Sequence, residues 1–207
     1  MTKNDLYQEL YAGHDPEMLQ IWQKSVIGIA GAGGLGSNIA VSLARAGIGT
    51  LIIADYDTVC TANLNRQQYF LDQVGSLKVE ALKANLDRIN PFIRIIIHPL
   101  KVTPENVGSL FGTAEIMIEA FDLAEQKQML IESWQSLFPT RPIIAASGLA
   151  GVGNNESLKT LQTDNLYIIG DGVSELAPGI NPISARVAVV ANMQANLCLE
   201  LLLKMHA

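Results

Sequence analysis

Arg66 sits in a polar run, Asn63-Leu64-Asn65-Arg66-Gln67-Gln68, and a planar guanidinium flanked by amides is suited to gripping two phosphoryl oxygens at once. Lys78 follows twelve residues later and can reach the same oxygens as a point charge. A nicotinamide site would leave both cations without a task, so the pair points away from hydride transfer and toward ATP. The segment preceding them offers a place for the anion.

Ser25 to Ala30 is a short apolar run of the kind that forms a buried parallel strand. Gly31, Gly33 and Gly36 then keep the spacing of a dinucleotide-binding turn, with Gly34 as an additional small residue. Gly31 allows the tight turn, Gly33 lets backbone approach phosphate oxygens, and Gly36 lets the next helix lie close to the strand. That helix, predicted over 34–46, aims its free N–H groups and the positive end of its dipole at the phosphates. Gly47 and Gly49 end it, and Thr50 to Ala54 form a second apolar strand. Asp55 follows, nineteen residues after Gly36, where a carboxylate accepts hydrogen bonds from a ribose hydroxyl.

The rest of the chain must hold these pieces in place. At 207 residues it is expected to be a single α/β domain over 1–207, with a core built on several fully buried strands, since 49% of residues are hydrophobic and 16% charged. Residues 1–24 read as a helical segment, one or two amphipathic helices interrupted near Gly13-His14-Asp15-Pro16. Further helices are predicted over 79–90, stopped by Pro91, and over 123–137, with strands at 93–97, 115–120, 142–146 and 166–169. Residues 148–155 read as a mobile loop, and a long apolar helix runs from Pro182 to about residue 206. Strands separated by helices of this length imply right-handed crossovers, and hence a Rossmann-like, mostly parallel sheet flanked by helices.

A net charge of −6 argues against a nucleic acid or an anionic membrane as the main partner. No apolar run approaches the length of a transmembrane helix, and MTKNDLYQEL is not patterned as a signal peptide. Cys60 and Cys198 form neither a disulfide framework nor a zinc knuckle, which makes cytoplasmic residence the default expectation. His14, His98 and His206 belong to no recognisable constellation.

The segments GAGGLGSNIA, LIIADYDTVCTANLNRQQYF, VGSLKVEAL and RINP together resemble the ATP-dependent activators of ubiquitin-like proteins, the ThiF/MoeB/HesA group. ARVAVVANMQAN extends the resemblance more weakly, and DNLYIIGDGVSE is most similar to the compact sulfur-carrier adenylyltransferases of thiamine biosynthesis. The resemblance implies an adenylation fold in which Asp55 holds the ribose while Asn63, Arg66, Gln67 and Lys78 surround the triphosphate. It implies that Asp122 binds magnesium, a role compatible with capping the helix predicted from Leu123. It further implies a homodimer acting on a small ThiS-like sulfur-carrier protein, whose terminal Gly-Gly carboxylate attacks ATP to give an acyl-adenylate. Arg66, Lys78 and Asp122 would be the catalytic groups. The chain departs from the larger members in lacking CxxC pairs, so no structural zinc is expected. It has no arginine before residue 25, and it carries Asp122-Leu123 where the family has Asp-Asn.

Other classes remain open at this level. An NAD-dependent oxidoreductase shares the glycines and Asp55, a nucleotide-sensing module shares the fold without turnover, and a dehydratase acting on an adenylated small molecule or tRNA belongs to the same superfamily.

Overall fold

The computed structural model describes residues 2–174 and 180–207. Met1 and residues 175–179, including Glu175 at the end of the DNLYIIGDGVSE segment, lie outside the described residues.

Two short helices open the chain, α1 (Lys3–Leu10) and α2 (Pro16–Lys24), broken at Gly13–Asp15 as the sequence predicts. Asp15 caps α2 by accepting from the N–H groups of Glu17 and Met18, and Pro16 occupies the first helical position, where its missing N–H costs nothing. An alternating succession follows: β1 (Val26–Ala30), α3 (Gly34–Ala46), β2 (Thr50–Ala54), α4 (Lys78–Ile89), β3 (Arg94–His98), α5 (Pro104–Phe111), β4 (Ile116–Glu119), α6 (Ala124–Leu137) and β5 (Ile143–Ala146). The chain then forms a hairpin of β6 (Lys159–Thr163) and β7 (Leu166–Gly170) and ends in α7 (Ser184–Met205).

The strands make one seven-stranded sheet in the order β3-β2-β1-β4-β5-β7-β6, parallel throughout except for the antiparallel β6–β7 pair at one edge. Helices cover both faces. Ile27 and Ile29 of β1 point into a core shared with α3, α4 and α7, while Ala30 packs into a second core with Val107 and Phe111 of α5 and Leu130 and Trp134 of α6. β1 lies between β2 and β4, so the strand order reverses beside it. In open α/β sheets that reversal leaves a crevice at the carboxyl ends of the strands.

Three features depart from expectation. α5 and β6 were not legible in the sequence. α5 is a single buried stripe of Val107 and Phe111 behind a capping box at Thr103, and β6, Lys-Thr-Leu-Gln-Thr, is exposed along its whole length and so carries no apolar pattern. The expectation of no apolar run of membrane-spanning length is also corrected. α7 is long and apolar enough to cross a membrane by length and composition, and it is the one such helix among the described residues. Here its apolar stripe, including Val187, Val190, Ala191, Cys198 and Leu202, is buried in the core, and Trp22 of α2 donates to the Leu199 carbonyl at 3.3 Å. Finally, residues 148–155 are tied down. The Ala150 N–H donates to Ser174 Oγ and the Gly151 N–H to the Asn181 carbonyl, while the Arg186 guanidinium donates to the carbonyls of Gly153 and Asn154.

Candidate nucleotide-binding site

A cavity of about 590 Å³ opens at the carboxyl ends of β1, β2, β4 and β5, a size suited to a small-molecule ligand. Gly31, Gly33, Gly34, Asp55, Asn63, Arg66, Gln67, Lys78 and Asp122 all line it. Gly36 does not. It stands one turn into α3, where any side chain would collide with the Gly31 carbonyl, so its role is the close approach of helix to turn. Gly31 has φ +103°, and a Cβ there would sit 2.6 Å from the Ala120 carbonyl oxygen, so neither the conformation nor the space admits another residue.

Asp55 braces this turn. Its Oδ2 accepts from the Ala32 N–H at 2.6 Å and its Oδ1 from the Asp57 N–H at 2.8 Å. Each carboxylate oxygen keeps a second lone pair for a ligand hydroxyl. The N–H groups of Gly33, Gly34 and Leu35 donate to no group among the described residues, leaving the start of α3 able to meet an anion.

The segment between β2 and α4 forms a strap over the cavity. A bridge between Thr58 and Leu77 and the bond from the Val59 N–H to the Ser76 carbonyl close its base. Its far end is fastened to α3: Asn38 Nδ2 donates to the Arg66 carbonyl at 3.1 Å, Gln68 Nε2 to Asn38 Oδ1 at 2.7 Å, and the Gln68 N–H to Ser37 Oγ at 3.1 Å. These bonds fix the backbone at Arg66 and leave its side chain lightly held. Among the described residues the guanidinium makes one hydrogen bond, to Asn65 Oδ1 at 2.9 Å. Gln67 is buried, and its Oε1 has no partner among the described residues, an acceptor that a ligand donor would satisfy.

Lys78 is the first residue of α4, and its ammonium lies 2.6 Å from Asp57 Oδ2 with the lysine side chain 7% exposed. It faces the cavity already paired with a half-exposed carboxylate, a contact that any anion entering there would have to share or displace. Asp122 lines the cavity but does not cap α6. The cap position is Leu123 and no side chain bonds to it, because the helix starts one residue later than predicted. Among the described residues no cluster of three or more His, Cys, Asp and Glu side chains is arranged to hold a metal.

Several contributors went unassigned in the sequence. Glu119, at the end of β4, is fully buried, accepts from the Phe121 N–H at 2.6 Å and pairs with Lys127 at 2.9 Å. Burial pushes its carboxyl up and the Lys127 ammonium opposes that shift. The pair brackets the loop that carries Asp122. A glutamate closing the apolar run Ile116–Ile118 was its available signal. Tyr69 is buried beneath the turn, its hydroxyl donating to the Ala32 carbonyl at 2.6 Å. Cys60 is an exposed free thiol on the strap, and burial pushes the Cys198 thiol up, as suits a core residue. His206 pairs with Glu115 at 2.8 Å, far from the cavity.

The profile of the ThiF family matches residues 7–207. The chain belongs to the ThiF family. It is 34% identical over 145 residues to the adenylyltransferase and sulfurtransferase UBA4 of Candida glabrata, covering 70% of this chain and 32% of that protein. It is also 34% identical over 134 residues to the tRNA threonylcarbamoyladenosine dehydratase of Escherichia coli, covering 62% of this chain and 50% of that one. The ThiF-family chain thus spans between about a third and a half of the length of these curated relatives. The crystal structure of the E. coli dehydratase TcdA superposes with a TM-score of 0.88 at 22% identity, over 98% of this chain and 97% of that one. Its complex with ATP gives 0.89 over 100% and 98%. At that identity the likeness establishes the fold, a ThiF-type adenylation architecture.

Proposed function

We propose that this ThiF-family protein uses ATP to adenylate the terminal carboxylate of a small ubiquitin-like sulfur-carrier protein. The observation that carries the reading is the convergence, in one cavity, of the uncapped start of α3, the braced Asp55 and the lightly held Arg66. An oxygen of the carrier's carboxylate attacks the α-phosphorus of ATP. The bond from that phosphorus to the bridging oxygen of the β-phosphate breaks, and pyrophosphate leaves. A carboxylate is already ionised near neutral pH, so the step needs positioning and charge stabilisation rather than a general base. Asp55 orients the ribose, the N–H groups of Gly33 and Gly34 meet phosphate oxygens, and Arg66 and Lys78 stabilise charge as it builds on the leaving group. Asn63 and Gln67 complete the polar wall.

Magnesium commonly takes one or two protein carboxylates plus phosphate oxygens and water, and the single cavity-facing Asp122 fits that donor set. Bound there, magnesium would neutralise phosphate charge. A ThiS-like carrier of thiazole synthesis is the occupant we favour within the class, on the resemblance of the DNLYIIGDGVSE segment. The relatives also include a tRNA dehydratase, which keeps a second reading, adenylation of a tRNA-borne group, in play; the net charge of −6 weighs against it. Cytoplasmic residence and a homodimer belong to the same proposal. For the dimer, Leu6, Leu10, Val189 and Met205 remain exposed on the terminal helices, and light scattering should report twice the chain mass.

The deciding experiment is ATP–pyrophosphate exchange with and without a carrier protein ending in Gly-Gly. Carrier-dependent exchange is expected. Exchange that ignores the carrier but responds to modified tRNA favours the dehydratase reading, and calorimetry showing NAD binding without ATP binding sinks both.

A further inference from the structure

The peptide unit joining Ala32 to Gly33 sits at the centre of the turn, and one side chain determines which way it faces. In a trans peptide the C=O and N–H point in opposite directions, and the described residues contain no cis bond. Tyr69, which is buried and does not itself line the cavity, donates its phenolic proton to the Ala32 carbonyl at 2.6 Å. The N–H of the same peptide unit, that of Gly33, is thereby directed the other way. Gly33 lines the cavity, and its N–H donates to nothing among the described residues. The preceding peptide is fixed independently, because the Ala32 N–H donates to Asp55. Asp55 and Tyr69 therefore clamp successive peptide planes.

We propose that Tyr69 is a positioning residue for phosphate recognition, holding the Gly33 N–H toward the anion through its bond to the Ala32 carbonyl. The inference rests on the nucleotide reading of the cavity. Without the phenolic hydroxyl, the Ala32–Gly33 peptide is free to rotate at a glycine and turn a carbonyl dipole toward the phosphates, replacing an attraction with a repulsion. Burial, and then the charges of Asp55 and Asp57, push the phenol's ionisation upward, so it remains a donor throughout the working pH range. Tyr69 follows Gln68 on the strap that bears Arg66, so its bond to the turn adds to those by which Ser37 and Asn38 fasten the strap.

The test is Tyr69→Phe, which keeps the buried ring and deletes the hydroxyl. Binding of ATP and of adenosine is measured by calorimetry, adenosine by competition, alongside the melting temperature. ATP should weaken roughly tenfold, the scale of one hydrogen bond to a charged group, while adenosine, which has no phosphate, changes less than about twofold. Equal weakening of the two ligands would mean a general structural role and overturn the proposal, as would unchanged ATP affinity. In the wild-type protein, the Gly33 amide resonance should shift downfield with ATP and stay in place with adenosine, a measurement that does not depend on the variant folding. A Gly33 resonance indifferent to bound ATP overturns the positioning role alone, whereas a wild-type protein that binds no ATP overturns the nucleotide reading beneath it.

Discussion

Two arginines divide the molecule. Arg66 rides on a strap whose backbone is fastened to α3, while its guanidinium makes one hydrogen bond among the described residues and faces the main cavity. Arg186, in the first turn of α7, is 4% exposed, pairs at 2.7 Å with Asp171, itself 5% exposed, and donates to the carbonyls of Gly153 and Asn154. It lines a second cavity of about 520 Å³ bounded by the 150–154 loop and Ile180–Ile183. The same functional group thus serves opposite ends. Where its two terminal nitrogens meet protein acceptors it organises chain, with the buried Nε alone lacking a partner among the described residues, and where they are left largely free it is available to a ligand. Charge type alone would not separate the two; the bonding of each guanidinium does.

The comparison breaks most visibly at the buried pair. Arg186→Met should leave Asp171 uncompensated and cost about 3–5 kcal/mol, a fall of roughly 6–20 °C in melting temperature for a chain of this size. Exchange by the folded fraction should be retained. A stable protein that has lost exchange would move Arg186 into the catalytic site and erase the contrast.

Arg66→Ala should do the reverse. The exchange rate is expected to drop by roughly 10²-fold or more, while the melting temperature stays within about 2 °C because the guanidinium makes a single side-chain hydrogen bond among the described residues. Near wild-type exchange in this variant would remove Arg66 from the chemistry.

A smaller effect is expected at Asp122, which neither caps α6 nor pairs with a neighbour among the described residues. Asp122→Asn should leave thermal stability unchanged and raise the magnesium concentration needed for half-maximal exchange several-fold. A melting temperature that falls while the magnesium response stays normal would assign this residue to the fold.

The smallest effect is a pH slope. Burial raises the Asp171 carboxyl, but the N–H groups of Ser174 and Val173, the Ser174 hydroxyl and Arg186 outweigh it and bring the group down to about 2 from an ordinary 3.8. Its stabilisation is therefore complete above about pH 4 and is lost as pH falls toward 2. Denaturant titrations across that window should be shallower in pH for Asp171→Asn than for the wild type, and identical slopes would show that this carboxylate is not linked to folding.

Sequence by itself determined the parts whose physics is local. The glycine spacing, the apolar strands flanking it, Asp55 at the end of the second strand and the amide-rich run around Arg66 all follow from the geometry of a strand, a turn and the start of a helix. Of the ten site residues named, with Asp122 drawn from the family resemblance, nine line one cavity and Gly36 does not. Packing within the tertiary structure decided the rest. Tyr69 reaches Ala32 across 37 residues, Asp171 and Arg186 meet through the docking of α7, and Lys78 faces Asp57 because an isolated bridge folds the strap back on itself. β6 is wet on both sides and leaves no periodic trace, and the apolar length of α7, which by composition would suit a membrane, became the inner wall of the core. Spacing reveals bonds between near neighbours. The long-range bonds that aim a turn or neutralise a buried charge depend on which surfaces meet, and only the folded sheet with its helices brings those surfaces together.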